Sequence, residues 1–450
     1  MIALGPGPDN RAAPTGNTGN ANMAQAEGVQ GEVTAEKLVT ADGIPLKRSM
    51  QRAERRRKLM AFLLVAPLLA FLFVSFIFPI AQMMWRSVEN PEVVNALPRT
   101  LEALEGWDGE DLPDEEVYAA LYQDMVADQE LPRQEQRTGP LAVRLNYELS
   151  AARSAIARTA FRLDRLEPPY KEAFLDAHRL WGNPELWRII QREGDPFTAS
   201  YYIAALDMTY SDEGEVVMRD EDRRLYVPLF GRTFMLSAVI LGLTFILGFP
   251  ISYFMSILPM RKANLLMIFV LLPFWTSLLV RTTAWIVLLQ EQGVINSSLV
   301  GLGLLDAENR LQMIYNMTGT IVAMTHILLP FMVLPLYSVM RTIPPSYMRA
   351  AKSLGAKPWT AFRRVYFPQT LPGIGAGGVL VFIISIGYYI TPALVGGQDG
   401  RMISNEIARH MQQSLNWGLA AALGTMLLVS VLILYWAYNK LVGADNLKLG

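Results

Sequence analysis

The hydrophobic pattern of the chain shows six long apolar stretches separated by more polar segments. A helix that spans a bilayer needs about 20 predominantly apolar residues, and each stretch reaches that length. The predicted spans are residues 59–83, 233–257, 265–289, 316–339, 371–394 and 417–439. The sequence therefore predicts an all-α, polytopic membrane protein with six transmembrane helices.

The segment between the first two predicted spans has a different pattern. In 141–166 and 170–192 apolar residues recur at helical spacing among many charged residues, which is typical of surface helices. We expect a helical insert over 86–229. Two roles remain open for it, a structural cap or a docking surface for a partner outside the membrane.

Charge is distributed unevenly along the chain. The insert has a net charge of about −13 and the remainder about +12, by residue count. The bases of the remainder concentrate in 1–58, 258–264, 340–370 and 440–450. Because cytoplasmic segments of membrane proteins are enriched in Lys and Arg, we expect both termini to be cytoplasmic and the insert to lie outside.

These patterns divide the chain into five parts. Residues 1–58 are predicted to be a disordered cytoplasmic tail, whose basic end contacts membrane lipid and not nucleic acid. The parts that follow are transmembrane helix 1 (59–85), the insert (86–229), a core with transmembrane helices 2–6 (230–443) and a cytoplasmic C-terminus (444–450).

The residue types that enzymes and metal sites use are scarce. The chain has no Cys, and its three His residues, His178, His326 and His410, lie far apart in sequence. It has no phosphate-binding loop, and the glycines of 373–378 open an apolar span, where small residues let helices pack closely. We expect no metal site, no bound cofactor and no catalytic activity in this chain.

The basic loop at 340–370 begins with residues that stop one helix and start another. Pro344 and Pro345 are expected to end the preceding span. In the short helix that follows, Ala350 and Ala351 place small side chains where another backbone can approach.

Glycine and proline then set the course of the rest of the loop. Gly355 is expected to cap the short helix in the left-handed conformation. A second helix is expected to start near Pro358 and to end at Pro368 and Pro372, before the next span. The pattern predicts a short helix on the membrane surface, projected by a glycine corner.

This loop resembles the "EAA" loop of permeases in bacterial ABC importers, the binding-protein-dependent, MetI-like family. The family pattern is E-A-A-x3-G-x9-I-x-L-P, and its spacing is complete in this chain. The matching residues are Arg349, Ala350, Ala351, Gly355 and Pro368. Arg349 stands where the family has Glu, and Val365 and Phe367 stand where it has Ile and Leu.

The resemblance implies a MetI-like permease core over 230–443 in a bacterial cytoplasmic (inner) membrane, with a periplasmic insert. In the family the loop is a coupling helix that docks on an ATPase. The implied partners are a second permease, a cytoplasmic ABC ATPase dimer that uses ATP-Mg, and a periplasmic solute-binding protein.

Two further stretches, 271–289 and 387–397, resemble the spermidine/putrescine branch of that family, most closely its first permease. A polyamine is therefore the favoured solute. Many relatives have an acid just after the glycine that corresponds to Gly387, whereas this chain has Tyr388 and Tyr389.

Several polar and aromatic residues within the predicted spans are candidates for the translocation pathway. A charge such as Arg281 is costly in lipid and is expected to face the bundle interior or water, unless it lies near an interface. Aromatic rings can hold an amine cation, although packing and interfacial anchoring are the favoured explanation for them. The remaining candidates are Trp275, Trp285, Tyr388, Tyr389 and Thr391.

Two other functions fit a polytopic chain. A self-contained secondary transporter or channel would show inverted repeats and acids within its spans, and neither is evident. A membrane-anchored scaffold would use the insert and would have little need of six spans.

Overall fold

The computed structural model describes residues 46–211 and 214–442. Contacts divide the chain into two compact units, one ending at Phe76 and one beginning at Ile77. In the first unit the described residues form α1 (Leu46–Leu72) and all but the last residue of a π-helical turn (Phe73–Ile77). This helix begins within the predicted tail 1–58, of which residues 1–45 lie outside the described residues.

The second unit is also helical. Its N-terminal half contains α2 (Phe78–Arg86), α3 (Pro91–Ala96), α4 (Pro98–Leu104), α5 (Glu115–Gln129), α6 (Thr138–Glu148), α7 (Ala152–Phe161), α8 (Tyr170–Ala177), α9 (Pro184–Arg192) and α10 (Ser200–Ala205). Short 3₁₀ turns occupy Leu163–Arg165, Arg179–Gly182 and Glu221–Arg223. The strands β1 (Met208–Tyr210) and β2 (Val216–Met218) form an antiparallel hairpin in which Thr209 pairs with Val217.

The C-terminal half of this unit contains the long apolar helices. Its helices are α11 (Tyr226–Ile257), α12 (Met260–Trp275), α13 (Leu278–Leu289), α14 (Val294–Gly301), α15 (Met317–Thr342), α16 (Pro345–Ser353), α17 (Pro358–Ala361), α18 (Phe367–Gly387), α19 (Ile390–Val395), α20 (Ile403–Arg409) and α21 (Trp417–Val442). Two π-helical turns, Phe362–Tyr366 and His410–Ser414, join neighbouring helices.

Five helices of the described chain are long and apolar enough to cross a membrane, and a bent helix pair makes six if it counts as one span. The five are Glu54–Arg86, Tyr226–Ile257, Met317–Thr342, Pro358–Gly387 and Trp417–Lys440. The bent pair is Met260–Trp275 with Leu278–Gly301, at an angle of 98°. The predicted all-α, polytopic architecture is confirmed.

The third predicted span, 265–289, is wrong as a single straight helix. Thr276 and Ser277 both have extended backbones and separate α12 from α13. Pro273 lies in the last turn of α12 and has no N–H for an intrahelical bond. Because one Thr and one Ser lower the mean hydropathy of an apolar segment only slightly, hydropathy does not reveal the break.

The centre of the membrane bundle is formed by α11, α15 and α18. Their shared buried cluster contains Ile240, Met324, Ile327, Leu328, Met332, Leu336, Met340, Tyr366 and Val381. The glycines of α18 allow this packing, since a Cβ on Gly377 would lie 3.0 Å from the sulfur of Met332 and one on Gly373 would lie 3.1 Å from the Pro335 carbonyl oxygen. The sequence assigned these glycines to close helix packing, and these distances confirm it.

The region between α2 and α11 has its own hydrophobic core. Aromatic side chains dominate its centre, and the fully buried rings are Tyr118, Phe174, Trp181 and Trp187. The sequence predicted surface helices over 141–166 and 170–192, but each is broken in the structure. In the first, Ala151 has a φ of 74° and starts a new helix.

A buried ionic network joins distant parts of this region. The Arg144 guanidinium is 2.6 Å from the Glu193 carboxylate and 2.9 Å from Glu148, and both Arg144 and Glu193 are almost inaccessible to solvent. Arg144 Nε also donates to the Asn90 side chain (3.0 Å), and the Ser200 hydroxyl donates to Glu193 (2.6 Å). Burial alone would lower the pKa of Arg144, but Tyr201, Glu193 and Glu148 outweigh it and raise that pKa.

The same region is attached to the C-terminal helices by a second apolar cluster. Tyr201 and Ala205 of α10 pack with residues of α11, α20 and α21. The Tyr147 hydroxyl donates to the Ser414 carbonyl (2.8 Å), and Tyr226 and His410 are hydrogen-bonded at 2.9 Å. Burial, reinforced by the Arg409 charge and opposed by Glu406, lowers the pKa of His410 to about 4, so this junction holds a neutral imidazole at neutral pH.

The ionic network leads to a stability prediction. Arg144→Met leaves the buried carboxylate of Glu193 without its strongest partner, and breaking a buried pair on one side costs about 3–5 kcal/mol. We expect a large fall in the thermal unfolding temperature of the detergent-purified protein.

Arg133→Met is the matched control, because Arg133 is exposed and should change the unfolding temperature little. Equal unfolding temperatures for Arg144→Met and the native chain would contradict the structural role of the network.

Candidate functional site

The loop between α15 and α18 turns at a glycine. The Gly355 N–H donates to the Lys352 carbonyl (3.0 Å), and the Ala356 N–H donates to the Ala351 carbonyl (3.0 Å). These two bonds form a Schellman cap, which requires the left-handed conformation that Gly355 adopts at φ = 89°. A Cβ at Gly355 would meet no atom within 4 Å, so backbone conformation alone requires the glycine.

The outer surface of this loop is exposed and contains apolar side chains. Leu354 is 89% exposed and Trp359 is 70% exposed. Arg349 and Ala350 on α16 are also exposed, whereas Ala351 is half-buried. The sequence-predicted residues Arg349, Ala350 and Gly355 are therefore all accessible to a partner.

An aromatic cluster attaches the loop to the end of α11. The ring of Phe362 lies 5.8 Å from Trp359, 5.6 Å from Tyr366, 6.0 Å from Tyr253 and 6.2 Å from Phe249, measured between centroids. Sequence reasoning missed this cluster. The spacing of aromatic residues at 359, 362 and 366, on one helical face, was the available signal.

A hydrogen-bonded arginine at the start of the loop joins α15 to the same end of α11. Arg341, in the last turn of α15, donates to the Ser256 carbonyl (2.8 Å) and the Leu258 carbonyl (3.1 Å). These carbonyls lie at the end of α11, where no following residue of the helix can donate a backbone N–H to them.

The second helix of the loop does not end where the sequence predicted. It continues through Pro368 and Pro372 as one span, Pro358–Gly387. The π-helical turn Phe362–Tyr366 ends two residues before Pro368. Such a turn widens the helix where the proline ring would otherwise clash with the carbonyl four residues earlier. Pro368 is therefore a residue within the span and not a boundary.

The predicted pathway residue Arg281 lies beside the break in the bent helix pair. Its Nη2 donates to the Thr276 carbonyl (2.9 Å), and its Nε lies 3.4 Å from the Thr276 hydroxyl. The guanidinium thus supplies donors to a carbonyl that the broken helix leaves without an amide partner.

A second break follows α18, and it contains the two predicted tyrosines. The Ser404 hydroxyl donates to the Tyr388 carbonyl (2.8 Å), and the Asn405 amide donates to the Tyr389 carbonyl (2.7 Å). The fifth predicted span, 371–394, is therefore wrong as a continuous helix, since α18 ends at Gly387.

The two breaks are connected through buried threonines. Thr391 of α19 and Thr282 of α13 are both buried, with their hydroxyls 3.4 Å apart. Trp285, one turn further along α13, donates from its indole to His326 Nδ1 (3.2 Å). Trp275 lies across the break from Arg281 and is 71% exposed.

The pathway roles of Arg281, Trp285, Tyr388, Tyr389 and Thr391 stay predictions. Sequence reasoning did not identify four of the residues that hydrogen-bond to this group, namely Thr276, Thr282, Ser404 and Asn405. Small hydroxyl and amide residues beside a Pro or Gly in an apolar run were the available signal. Among residues 46–211 and 214–442, no group of three or more His, Asp or Glu side chains is placed to hold a metal ion.

Comparison with known proteins identifies the family. The profile of the family "binding-protein-dependent transport system inner membrane component" matches residues 225–443. The spermidine/putrescine transport system permease protein PotB of Haemophilus influenzae is 33% identical over 221 residues, which cover 48% of this chain and 77% of that protein. The chain belongs to this family.

Two further comparisons give the extent of the similarity. PotB of Escherichia coli is 32% identical over 230 residues, covering 50% of this chain and 83% of that protein. A crystal structure of a bacterial alginate ABC transporter, in complex with an alginate pentasaccharide-bound periplasmic protein, matches 50% of this chain and 80% of its own at 19% identity and a TM-score of 0.42.

The family assignment covers α11 to α21 and establishes the chain as a membrane-embedded permease subunit of an ABC importer. Both the loop at Gly355 and the two helix breaks fall within the matched residues. The insert precedes them and lies outside the family match.

The geometry at Arg281 leads to a prediction about the bent helix pair. Arg281→Met removes the donors to the Thr276 carbonyl, so we expect the break to open more often to water. Because the native chain contains no Cys, a single Ser277→Cys substitution can report this opening through its rate of labelling by a water-soluble maleimide.

We expect faster labelling in the Arg281→Met background than in the otherwise native chain. Arg281→Lys is the matched control, since an ammonium still donates to a carbonyl, and it should give an intermediate rate. Identical rates in all three backgrounds would show that the guanidinium does not close the break.

Proposed function

We propose that this ABC importer permease translocates a polyamine such as spermidine or putrescine. The observation that supports this most is the similarity to PotB proteins at 32–33% identity, over 77–83% of their length. Polyamines are flexible cations, and aromatic faces attract such cations. The candidate pathway residues Trp285, Tyr388 and Tyr389 offer such faces near the two helix breaks.

Arg281 has a specific place in this proposal. Its charge is held against the Thr276 carbonyl and lies near the aromatic candidates, where it would repel a polyamine that entered without displacement of the side chain. We assign Arg281 a gating role, in which its release from Thr276 accompanies opening of the pathway. Thr391 and Thr282 would move with it because they connect the two breaks.

Coupling to ATP hydrolysis is assigned to the loop between α15 and α18. We propose that its exposed surface, including Arg349, Ala350, Leu354 and Trp359, docks on a cytoplasmic ABC ATPase dimer that uses ATP-Mg. Arg349 stands where the family pattern has an acid, so the exposed apolar side chains are proposed to provide most of the contact.

The remaining assignments concern orientation and assembly. We propose cytoplasmic termini, a second permease as partner in the membrane and a periplasmic solute-binding protein that delivers the solute. The distribution of Lys and Arg supports this orientation, and it places the insert 86–229 in the periplasm and the permease core at 230–443. The chain itself is proposed to bind no cofactor and to catalyse no reaction.

The coupling role can be tested at Gly355. Gly355→Val forces a branched side chain into the left-handed region and should displace the docking surface, whereas Asn tolerates that region. We expect Gly355→Val to reduce ATP-driven uptake in proteoliposomes at least tenfold, with Gly355→Asn retaining most of it.

The assembled complex must be present in equal amounts for the comparison, as measured by co-purification of all subunits. Normal uptake by an assembled Gly355→Val complex would contradict the coupling role. Uptake by the purified chain alone, driven by an ion gradient, would instead indicate a secondary transporter.

The polyamine assignment has its own test in the same proteoliposomes. We expect radiolabelled spermidine to accumulate with ATP and the solute-binding protein, and unlabelled putrescine to compete for uptake. Failure of both polyamines to accumulate or compete, in vesicles whose ATPase responds to the binding protein, would overturn the substrate while leaving the permease assignment in place.

A further inference from the structure

An exposed phenylalanine surrounded by arginines lies on the insert, away from the site described above. Helix α7 buries Ala152, Ala155, Ile156 and Thr159 on one face. Phe161 projects from the opposite face and is 88% exposed. We call its surroundings the Arg–Phe face, which consists of the exposed residues Arg153, Arg158, Phe161, Arg162 and Arg165.

The charge of this face contrasts with that of the insert. Residues 153–165, which contain the face, include four arginines and a single acid, Asp164, although the insert as a whole has a net charge of about −13. Within the described residues, none of the four guanidinium groups of the Arg–Phe face forms an ion pair or a side-chain hydrogen bond. The positive charges are therefore available to an external group.

The pKa of a neighbouring histidine indicates that the positive charge extends beyond α7. Burial lowers the pKa of His178, and the charges of Arg158 and Arg179 lower it further. Arg179 is exposed and belongs to the turn between α8 and α9. The field of the Arg–Phe face thus continues onto a second element of the insert.

The face contributes nothing favourable to the stability of the isolated chain. Arg158 and Arg162 are four residues apart, a spacing at which like charges destabilise a helix. An almost fully exposed Phe loses the free energy that burial of its ring would provide. Arg and Phe are, however, enriched among residues that anchor protein interfaces, where they lie at the centre and exclude water.

Two acidic surfaces are available outside the insert, a protein and a lipid headgroup layer. Under the proposed orientation the insert faces the periplasm, where the proposed solute-binding protein can reach it. The net negative charge of the insert would also oppose its approach to an anionic bilayer. Both considerations favour a protein.

We propose that the Arg–Phe face docks an acidic surface of the periplasmic solute-binding protein of this importer. This inference rests on the proposed function, because it assumes a binding-protein partner and a periplasmic insert. Phe161 would be buried at the centre of the contact, with the arginines pairing around it. Such a contact would strengthen capture of the loaded binding protein and would raise its association rate at low salt.

The experiment uses the complete importer, embedded in lipid nanodiscs with its partner permease and ATPase subunits. The probe is the purified, fluorescently labelled solute-binding protein of the same transport system, and its affinity is measured at low and physiological salt. The variants are Phe161→Ala and the double substitution Arg158→Glu with Arg162→Glu. Arg133→Glu, an exposed arginine elsewhere on the insert, is the matched control.

We expect each face variant to weaken binding at least tenfold, and the double substitution to remove most of the salt dependence. Arg133→Glu should leave affinity unchanged, and basal ATP hydrolysis should be equal in all complexes. Two independent variants protect the result against a local folding defect in either one.

Three outcomes would overturn the docking inference. The first is unchanged affinity in both face variants. The second is unchanged affinity together with lost binding to vesicles containing phosphatidylglycerol, which would assign the face to lipid. The third is unchanged affinity together with lost self-association of the importer, which would assign it to a second copy. By contrast, if the native importer neither binds the protein nor responds to it, the proposed function fails as well.

Discussion

A backbone carbonyl or amide inside an apolar layer needs a hydrogen-bond partner from within the protein, and this requirement governs the membrane core. The breaks after α12 and after α18 both have side chains that donate to the freed carbonyls. Arg281 donates to the Thr276 carbonyl, and Ser404 and Asn405 donate to the carbonyls of Tyr388 and Tyr389. The irregular backbone lies where these donors are, between α13, α19 and α20, which is also where a hydrophilic pathway can form.

The sequence predicted the membrane spans because apolar length is nearly sufficient evidence for a helix in lipid. It could not locate the breaks, because Thr276 and Ser277 change hydropathy little and their extended backbone depends on partners elsewhere. It predicted the left-handed conformation of Gly355, since a basic helix followed by glycine is a local signal. The contacts of Phe362 with α11 involve residues more than a hundred positions away, and no local pattern reveals them.

The insert and the membrane core are stabilised by different interactions. Lipid offers no hydrophobic driving force between helices, so the core depends on small residues such as Gly373 and Gly377 that let helices approach closely. The insert instead buries a cluster of aromatic rings and a charged network around Arg144 and Glu193. Asn90, Arg144 and Glu193 come from three separate parts of the chain, so this network links segments that are far apart in sequence.

The continuity of Pro358–Gly387 determines how movement at the loop would reach the solute pathway. Gly355, with φ = 89°, ends α16 and turns the chain toward the helix that follows. From Pro358 onward the chain is one helix, attached at its start to α11 through Phe362 and ending at Gly387, next to Tyr388 and Tyr389. Under the proposed coupling role, a tilt imposed at Trp359 would move the far end of the same helix, beside the break that Ser404 and Asn405 stabilise. If the helix ended at Pro368, the chain would have flexible points at both Gly355 and Pro368. Movement at the loop surface would then not be transmitted to Gly387.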